Sequence, residues 1–233
     1  MDAVILAAGL GTRLRPHTEK TPKPMLPVRG RPILDWSLGA LPAIVDRVIV
    51  IVHYLGEQVE AYLKTQRHIP AWEIVRQEKP RGTGDALLSC QDRLRRGSSF
   101  MVLNGDDLYG AADLSELVRH RAGLICQMVD EPRKFGIAFL KGDGTLEKLI
   151  EKPPLDGPQL ANTGAYVFPP EVFEIELTVS PRGEYEITQY VSETAAKSPV
   201  GVVRSSFWLP IGDVAAWQAA QEIDLDAVLT GRR

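Results

Sequence analysis

The stretch from Leu6 to Pro27 constrains this chain most, because an apolar run there leads directly into a glycine-rich, cationic loop. The run at 3–6 has the length and bulk of a buried parallel strand. Gly9 and Gly11 follow at once, and glycines let backbone N–H groups approach a bulky anion closely. Several cations lie within a short reach of that loop, namely Arg13, Arg15, Lys20 and Lys23. The stretch therefore predicts a polyphosphate site, because amides and cations together can neutralise the phosphate charge.

Spacing excludes two common phosphate-binding motifs. The dinucleotide fingerprint needs a third glycine where Leu14 stands, and the Walker loop needs a Gly-Lys-Ser/Thr sequence that this chain lacks. The motif that remains is A-A-G-x-G-T-R-x-x-P, followed by P-K-P-x-L-P.

Composition narrows the class of protein. A net charge of −3 argues against a nucleic-acid-binding surface, which is normally basic. No apolar run approaches membrane-spanning length, and the N-terminus lacks a basic signal-peptide region, so we expect a cytoplasmic protein. Cys90 and Cys126 lack metal-ligand spacing and are expected to be reduced and buried.

Alternating strands and helices predict an α/β fold with a mostly parallel sheet flanked by helices. In the first half, the predicted strands are 3–6, 48–52, 73–77 and 100–103, and the predicted helices are 33–41, 56–64 and 86–94. In the second half, the predicted strands are 124–129, 135–140, 146–150, 165–168 and 202–208. Further helices are predicted around Leu114, around Tyr190 and over 214–229. We expect one domain over 1–233, with halves of about 1–110 and about 111–233, the second richer in β-structure.

Three loops are predicted to meet at the carboxyl ends of the strands, where open α/β sheets bind ligands. They cover 7–13, 77–84 and 105–107. Gln77 can pair with a base edge that has an N–H beside a carbonyl, as uracil, thymine and guanine have, so it leaves the base open. Asp106 follows an apolar strand, and a carboxylate there suits Mg²⁺, which takes oxygen ligands and bridges phosphates.

Together these motifs resemble the sugar-phosphate nucleotidyltransferase family (nucleoside-diphosphate-sugar pyrophosphorylases) over the whole chain. The resemblance implies a Rossmann-like fold whose first half binds a nucleoside triphosphate and whose β-rich second half binds the sugar. It implies catalytic roles for Arg13 and Lys23 and a metal-binding role for Asp106, while Asp107 is expected to be a capping or solvated residue. The implied nucleotide contacts are Leu6, Ala8, Gly9, Gly11, Thr12, Gln77, Gly82 and Thr83. The implied sugar-phosphate contacts are Gly136, Glu151, Lys152 and Asn162.

One position departs from the family pattern. Many relatives carry W-x-D-x-G near the C-terminus, where the Asp is a second metal ligand, but Pro210 stands there in this chain. A proline side chain offers no ligand atom. Asp213 could take over as the metal ligand or could cap the helix that begins at Val214, and we expect the cap.

The resemblance implies Mg²⁺-dependent transfer of a nucleotidyl group from UTP or dTTP to glucose 1-phosphate or N-acetylglucosamine 1-phosphate. The G-T-G-D-A sequence at 82–86 looks most like that of uridylyl- and thymidylyltransferases. Two other substrate pairs stay open, mannose 1-phosphate with GTP and N-acetylmuramate 1-phosphate with UTP. A phosphocholine or polyol-phosphate cytidylyltransferase is a more distant alternative. From a different class, a non-catalytic nucleotide-sugar sensor also stays open, and neither a nucleic-acid nor a membrane partner is expected.

Overall fold

The computed structural model describes residues 1–229. Its strands are β1 Asp2–Ala7, β2 Pro27–Val28, β3 Arg31–Pro32, β4 Arg47–Val52, β5 Ala71–Arg76, β6 Phe100–Asn104, β7 Asp107–Tyr109, β8 Gly123–Val129, β9 Gly136–Leu140, β10 Leu146–Glu151, β11 Gln159–Phe168, β12 Gly201–Arg204 and β13 Trp208–Pro210. Its α-helices are α1 Ile33–Ala40, α2 Gly56–Leu63, α3 Thr83–Leu88, α4 Ala111–Leu117, α5 Ile187–Lys197, α6 Val214–Ala220 and α7 Leu225–Leu229.

The central sheet has the order β10-β9-β11-β6-β1-β4-β5. Strand β8 also pairs with β11, and β12 pairs with β8. Strands β6, β1, β4 and β5 pair in parallel. Strand β11 runs antiparallel to β6 and connects this parallel part to the β9–β10 hairpin. The predicted fold class, a mostly parallel sheet flanked by helices with a β-rich second half, is confirmed.

Alternate residues of β1 separate into two hydrophobic clusters, because successive strand side chains point to opposite faces. Val4 and Leu6 pack with buried residues of α3 and α5. Ala3 and Ile5 pack with buried residues of α1, α2 and α4. Strand β1 is therefore covered on both faces, which explains why its sequence is continuously apolar.

The predicted boundaries of α3 were wrong. The helix covers Thr83–Leu88 instead of 86–94, and Gln91–Arg93 forms a separate 3-10 turn. The first turn of α3 packs against the backbone of Tyr185, whose carbonyl accepts a hydrogen bond from the Gly84 N–H at 2.8 Å. The apolar pattern located only the face that packs on the sheet, so it missed this polar turn.

The run predicted as one strand over 202–208 forms two strands, β12 and β13. The Asp113 carboxylate accepts hydrogen bonds from the backbone N–H groups of Ser206 and Phe207, at 2.8 and 3.2 Å. These N–H groups are therefore unavailable to a neighbouring strand. Strand β12 pairs with β8, and β13 pairs with β7.

The helix predicted over 214–229 is divided into α6 and α7. Trp217 and Gln221 each donate a side-chain hydrogen bond to the Pro27 carbonyl, at 2.9 and 3.1 Å, which fixes α6 on the turn after the first loop. The chain then changes direction, and Leu225 is buried in a third cluster with Leu14 and other residues of the N-terminal stretch. The two helices together thus pack against residues that follow the glycine-rich loop, from Leu14 to Val28.

A further expectation concerns the environment of the two cysteines. Cys90 and Cys126 are free thiols and buried, as predicted, and burial raises the pKa of each to about 12. Across residues 1–229, every helix is too short or too polar to cross a lipid bilayer.

The cap of α6 generates a stability prediction. Asp213→Ala should lower the free energy of unfolding by about 1 kcal/mol, because the Ala216 N–H loses its acceptor. Asp213→Asn is the matched control, since asparagine caps helices as well as aspartate does, and it should leave stability nearly unchanged. Urea denaturation followed by circular dichroism measures both variants. Equal losses of stability would mean that the carboxylate does more than cap the helix.

Candidate active site

A cleft of about 290 Å³ opens at the carboxyl ends of β1, β5 and β6. All three loops predicted to converge contribute to its walls, because parallel strands end at the same edge of a sheet. Among the predicted site residues, those that line it are Leu6, Ala8, Gly9, Lys23, Gln77, Gly82, Thr83 and Asp106. The walls also include Pro24 and Ala86, which lie in the quoted motifs but have no predicted role, and Pro80 and Glu184, which the sequence did not single out.

The two glycines after β1, Gly9 and Gly11, have different structural environments. Gly11 has φ 61°, and a Cβ there would lie 2.9 Å from the Thr18 methyl group. The Thr18 hydroxyl also donates to the Gly11 carbonyl at 2.7 Å, which fixes the turn. Gly9, in contrast, lines the cleft and has no atom within 4 Å of an added Cβ. The loop thus combines a fixed turn with an open backbone surface that can receive an anion.

Lys23 and Asp106 form an ion pair inside the cleft. The Lys23 Nζ donates to the Asp106 Oδ2 at 2.5 Å. The Lys23 side chain is 7% exposed and that of Asp106 is 40% exposed. Pro22 and Pro24 restrict the backbone on either side of the lysine. The loop after β1 therefore delivers a buried cation, and the end of β6 delivers an accessible carboxylate beside it.

The prediction that Asp107 is a capping or solvated residue is wrong, because Asp107 is buried in β7. The Trp208 Nε1 donates to the Asp107 Oδ2 at 3.2 Å. Burial raises the pKa of the Asp107 carboxyl, and the charge of Asp106 raises it further. Asp107 is buried against Trp208, whereas the Asp106 carboxylate is accessible in the cleft, so Asp106 is the better candidate cation ligand of this pair.

Among residues 1–229, no second carboxylate is positioned as a metal ligand near Pro210, where the chain departs from the family pattern. Pro210 lies opposite Asp107 in the β13–β7 pair. Asp213 accepts the Ala216 N–H at 2.9 Å and caps α6, as expected. Residues 1–229 contain no group of three or more His, Cys, Asp or Glu that could hold a metal ion. A cation here would depend on Asp106 together with ligand and water oxygens, a set that Mg²⁺ accepts.

Gln77 lies directly after β5 with its backbone held on both sides. Its N–H donates to the Val52 carbonyl and its carbonyl accepts from the His53 Nδ1, both at 2.8 Å. Its side-chain Nε2 donates to the Asp85 Oδ2, also at 2.8 Å. The residue is only 5% exposed, so its amide occupies a defined place in the cleft wall.

A segment of the second half that the sequence did not single out, residues 180–186, closes one side of the cleft. The Tyr185 N–H donates to the Arg81 carbonyl at 2.8 Å, and the Thr83 hydroxyl accepts the Ile187 N–H at 3.1 Å. A Cβ on Gly82, which has φ 117°, would lie 2.4 Å from the Tyr185 carbonyl oxygen. Packing between two loops therefore requires Gly82, in addition to the nucleotide contact that the family resemblance implies for it.

Three of the predicted sugar-phosphate residues lie together. Gly136 and Glu151 are partners in the β9–β10 pair. A Cβ on Gly136 would lie 3.0 Å from the Glu151 Oε2 and 3.8 Å from the Asn162 Nδ2. Arg182, missed in the sequence, lies with its Nη1 3.3 Å from the Glu151 Oε1. Burial raises the pKa of Glu151 and the charge of Glu186 raises it further, while the exposed Lys152 follows with φ 45°.

Arg13 and Thr12 both lie outside the cleft wall, on the 3-10 turn Thr12–Leu14. Its guanidinium faces the C-terminal segment, where a Cβ on Gly212 would be 3.6 Å from the Arg13 Nη1. Within the part of the chain that the structure describes, Arg13 is exposed and forms no ion pair. Its charge is therefore available to a ligand.

Comparisons with known proteins identify the family and the fold. Residues 2–227 match a family model described as nucleotidyl transferase. The chain is 35% identical over 215 residues to the bifunctional protein GlmU of Methanocaldococcus jannaschii, covering 91% of this chain and 51% of that protein. It is 34% identical over 203 residues to the UTP–glucose-1-phosphate uridylyltransferase AglF of Haloferax volcanii, covering 82% of each. A solved Bacillus anthracis structure, assigned as a glucose-1-phosphate thymidylyltransferase, has a TM-score of 0.84 at 27% identity, covering 96% of each chain. The chain spans about half the length of the GlmU relatives that it matches.

The contact between Gly82 and Tyr185 generates a second stability prediction. Gly82→Ala should lower the free energy of unfolding by about 1–3 kcal/mol, because the new methyl group meets a backbone carbonyl and φ is positive. Gly142→Ala is the matched control, since nothing lies within 4 Å of its added Cβ and its φ is not positive. Thermal or urea denaturation compares the two variants. If Gly82→Ala is as stable as Gly142→Ala, the packing of segment 180–186 on this loop is wrong.

Proposed function

The chain belongs to the nucleotidyl transferase family, and we propose that it transfers a nucleotidyl group from UTP or dTTP to glucose 1-phosphate or N-acetylglucosamine 1-phosphate. The products are an NDP-sugar and pyrophosphate. The G-T-G-D-A sequence after Gln77 supports UTP or dTTP as the nucleotide. The similarity to AglF, which is named for UTP and glucose 1-phosphate, supports both kinds of substrate.

The observation that carries the proposal is the Lys23–Asp106 ion pair at the open glycine loop. A buried ammonium group and an accessible carboxylate lie side by side where the Gly9 backbone leaves room for an anion. A polyphosphate needs cationic and amide donors for its oxygens, and a carboxylate there suits a phosphate-bound metal ion.

In the proposed reaction, a phosphate oxygen of the sugar 1-phosphate attacks the α-phosphorus of the triphosphate in line. The bond from the α-phosphorus to the bridging oxygen breaks, and pyrophosphate leaves with that electron pair. No side chain becomes covalently modified. Lys23, Arg13 and the amides near Gly9 would offset the charge on the phosphate oxygens, and binding both substrates in one cleft would orient them.

The residues present fit a Mg²⁺ ion held through a single protein carboxylate. Asp106 would hold the ion, which would neutralise part of the charge on the phosphate oxygens. Lys23 fixes the Asp106 side chain through Oδ2 and leaves the other oxygen without a protein partner among the described residues.

The sugar would occupy the second half, next to Glu151 and Asn162. Glu184 lines the cleft and Arg182, two residues earlier, contacts Glu151, so segment 180–186 connects the nucleotide side to this cluster. Strands of both halves share one sheet, which supports a single domain over 1–233, of which 230–233 lie outside the described residues. A cytoplasmic location suits such substrates.

A panel of purified substrates tests the proposal by pyrophosphate release. UTP or dTTP with glucose 1-phosphate or N-acetylglucosamine 1-phosphate should give the highest rates. Preference for GTP with mannose 1-phosphate, or for N-acetylmuramate 1-phosphate with UTP, would favour those alternatives. Binding of a nucleotide-sugar without any pyrophosphate release would favour the sensor.

The two cations generate a kinetic prediction. Lys23→Ala and Arg13→Ala should each lower kcat by about 100-fold or more, the scale for losing a preorganised charge-stabilising donor. Lys23→Met keeps the buried aliphatic volume and should lose as much. Lys64→Ala is the control, because that exposed lysine pairs with Glu60 on α2. Near-normal turnover in Lys23→Met would contradict the assignment.

Lys152 generates a prediction about the sugar side. Lys152→Ala should raise KM for the sugar 1-phosphate by about tenfold or more, the scale for losing a hydrogen bond to a charged group, with little change for the triphosphate. Lys148→Ala on β10 is the matched control, since that exposed lysine lies beside the Phe139 ring. Initial-rate kinetics with each substrate varied measures both effects. Equal increases for the two substrates would contradict a role in sugar-phosphate binding.

A further inference from the structure

The amide of Gln77 could in principle serve two kinds of base, because turning it over exchanges its donor and its acceptor. Uracil and thymine present an N–H at ring position 3 and a carbonyl at position 4, whereas cytosine presents an acceptor and then an amino group. Guanine and adenine differ in the same way at positions 1 and 6. An amide that turns freely can pair with either pattern, and an amide held in one orientation pairs with only one.

Asp85 holds the amide in one orientation. The Gln77 Nε2 donates to the Asp85 Oδ2 at 2.8 Å and lies 3.4 Å from the Gly82 carbonyl oxygen. A carboxylate and a carbonyl only accept hydrogen bonds, so the turned-over amide would place its own oxygen against two acceptors. Such a mismatch is costly at a residue that is only 5% exposed. The Oε1 accepts no hydrogen bond among the described residues, so it can accept from the ring N–H of a keto base. The second Nε2 hydrogen has only the Gly82 carbonyl at 3.4 Å and can donate to the keto oxygen beside that N–H.

Asp85 is itself fixed. Its other oxygen, Oδ1, accepts from the Arg81 Nη2 at 2.5 Å, and the residue is 8% exposed in the first turn of α3. The Arg81 carbonyl in turn accepts the Tyr185 N–H. Each carboxylate oxygen therefore has a separate partner, and only Oδ2 acts on Gln77.

We infer that Asp85 is a positioning residue that determines base specificity, by locking the Gln77 amide so that the cleft distinguishes keto bases from amino bases. The assignment rests on the proposed function, in which UTP or dTTP supplies a keto base, and on the pairing of that base with Gln77 that the sequence suggests. Asp85 itself touches no substrate and acts through Gln77.

Equilibrium binding of UTP and CTP, measured by isothermal titration calorimetry, tests the lock independently of turnover. The unchanged protein should favour UTP by about tenfold or more, because the wrong base leaves buried polar groups unpaired. Asp85→Asn should reduce that ratio to one or below, because Arg81 donates to the asparagine oxygen and the asparagine NH2 group, a donor, then faces the Gln77 amide. Asp85→Ser repeats the test with a hydroxyl that both donates and accepts, so the result does not depend on one variant folding.

Arg81→Met is the matched control, since it removes the other partner of Asp85 and leaves the Asp85–Gln77 hydrogen bond. It should keep the UTP to CTP ratio even if both nucleotides bind more weakly, so a ratio lost only in the Asp85 variants is assigned to the hydrogen bond with Gln77. A ratio unchanged by Asp85→Asn and Asp85→Ser, or a ratio near one in the unchanged protein, would overturn the inference.

Two results separate the inference from the proposed function. If the unchanged protein prefers CTP and Asp85→Asn removes that preference, the lock stands and the proposed base is wrong. If UTP selectivity depends on Asp85 but no sugar phosphate yields pyrophosphate, the lock stands and the proposed reaction is wrong.

Discussion

The burial of β1 between two parallel neighbours is the constraint on which the rest of the structure depends. It pairs with β4 along one edge and with β6 along the other. The Gly105 N–H donates to the Leu6 carbonyl at 2.9 Å, and a Cβ on Gly105 would lie 2.8 Å from that oxygen. This close approach ties the loop after β6 to the end of β1. Asp106 therefore meets Lys23, which the first loop delivers from the other side.

A second constraint joins the two halves of the chain. Segment 180–186 packs its backbone on the loop that contains Gly82, and the glycine leaves no room for a side chain there. The same segment contacts Glu151 through Arg182 and lines the cleft through Glu184. One contact between loops thus shapes the wall beside Gln77 and connects it to the predicted sugar cluster.

The chain has a net charge of −3, but the charged groups in and near the cleft form a local arrangement of their own. Lys23 is buried and paired, Arg13 is exposed without an ion pair among the described residues, and Asp107 has a raised pKa. Because burial disfavours the ionised form of Asp107, the end of β6 presents one accessible carboxylate instead of two. The site is therefore less negative than the sequence Asn104-Gly105-Asp106-Asp107 suggests.

The sequence by itself determined the strands of the parallel sheet, the loops that follow them and the family. These features come from local patterns: continuous apolar runs mark buried strands, and a glycine-rich loop with nearby cations marks an anion site. Tertiary structure alone decided the environment of Asp107, the start of α3 and the interruption between β12 and β13. Each depends on a partner far along the chain, namely Trp208, Tyr185 and Asp113. No local pattern encodes such a partner, because hydrogen bonds and burial between distant segments exist only once the chain has folded.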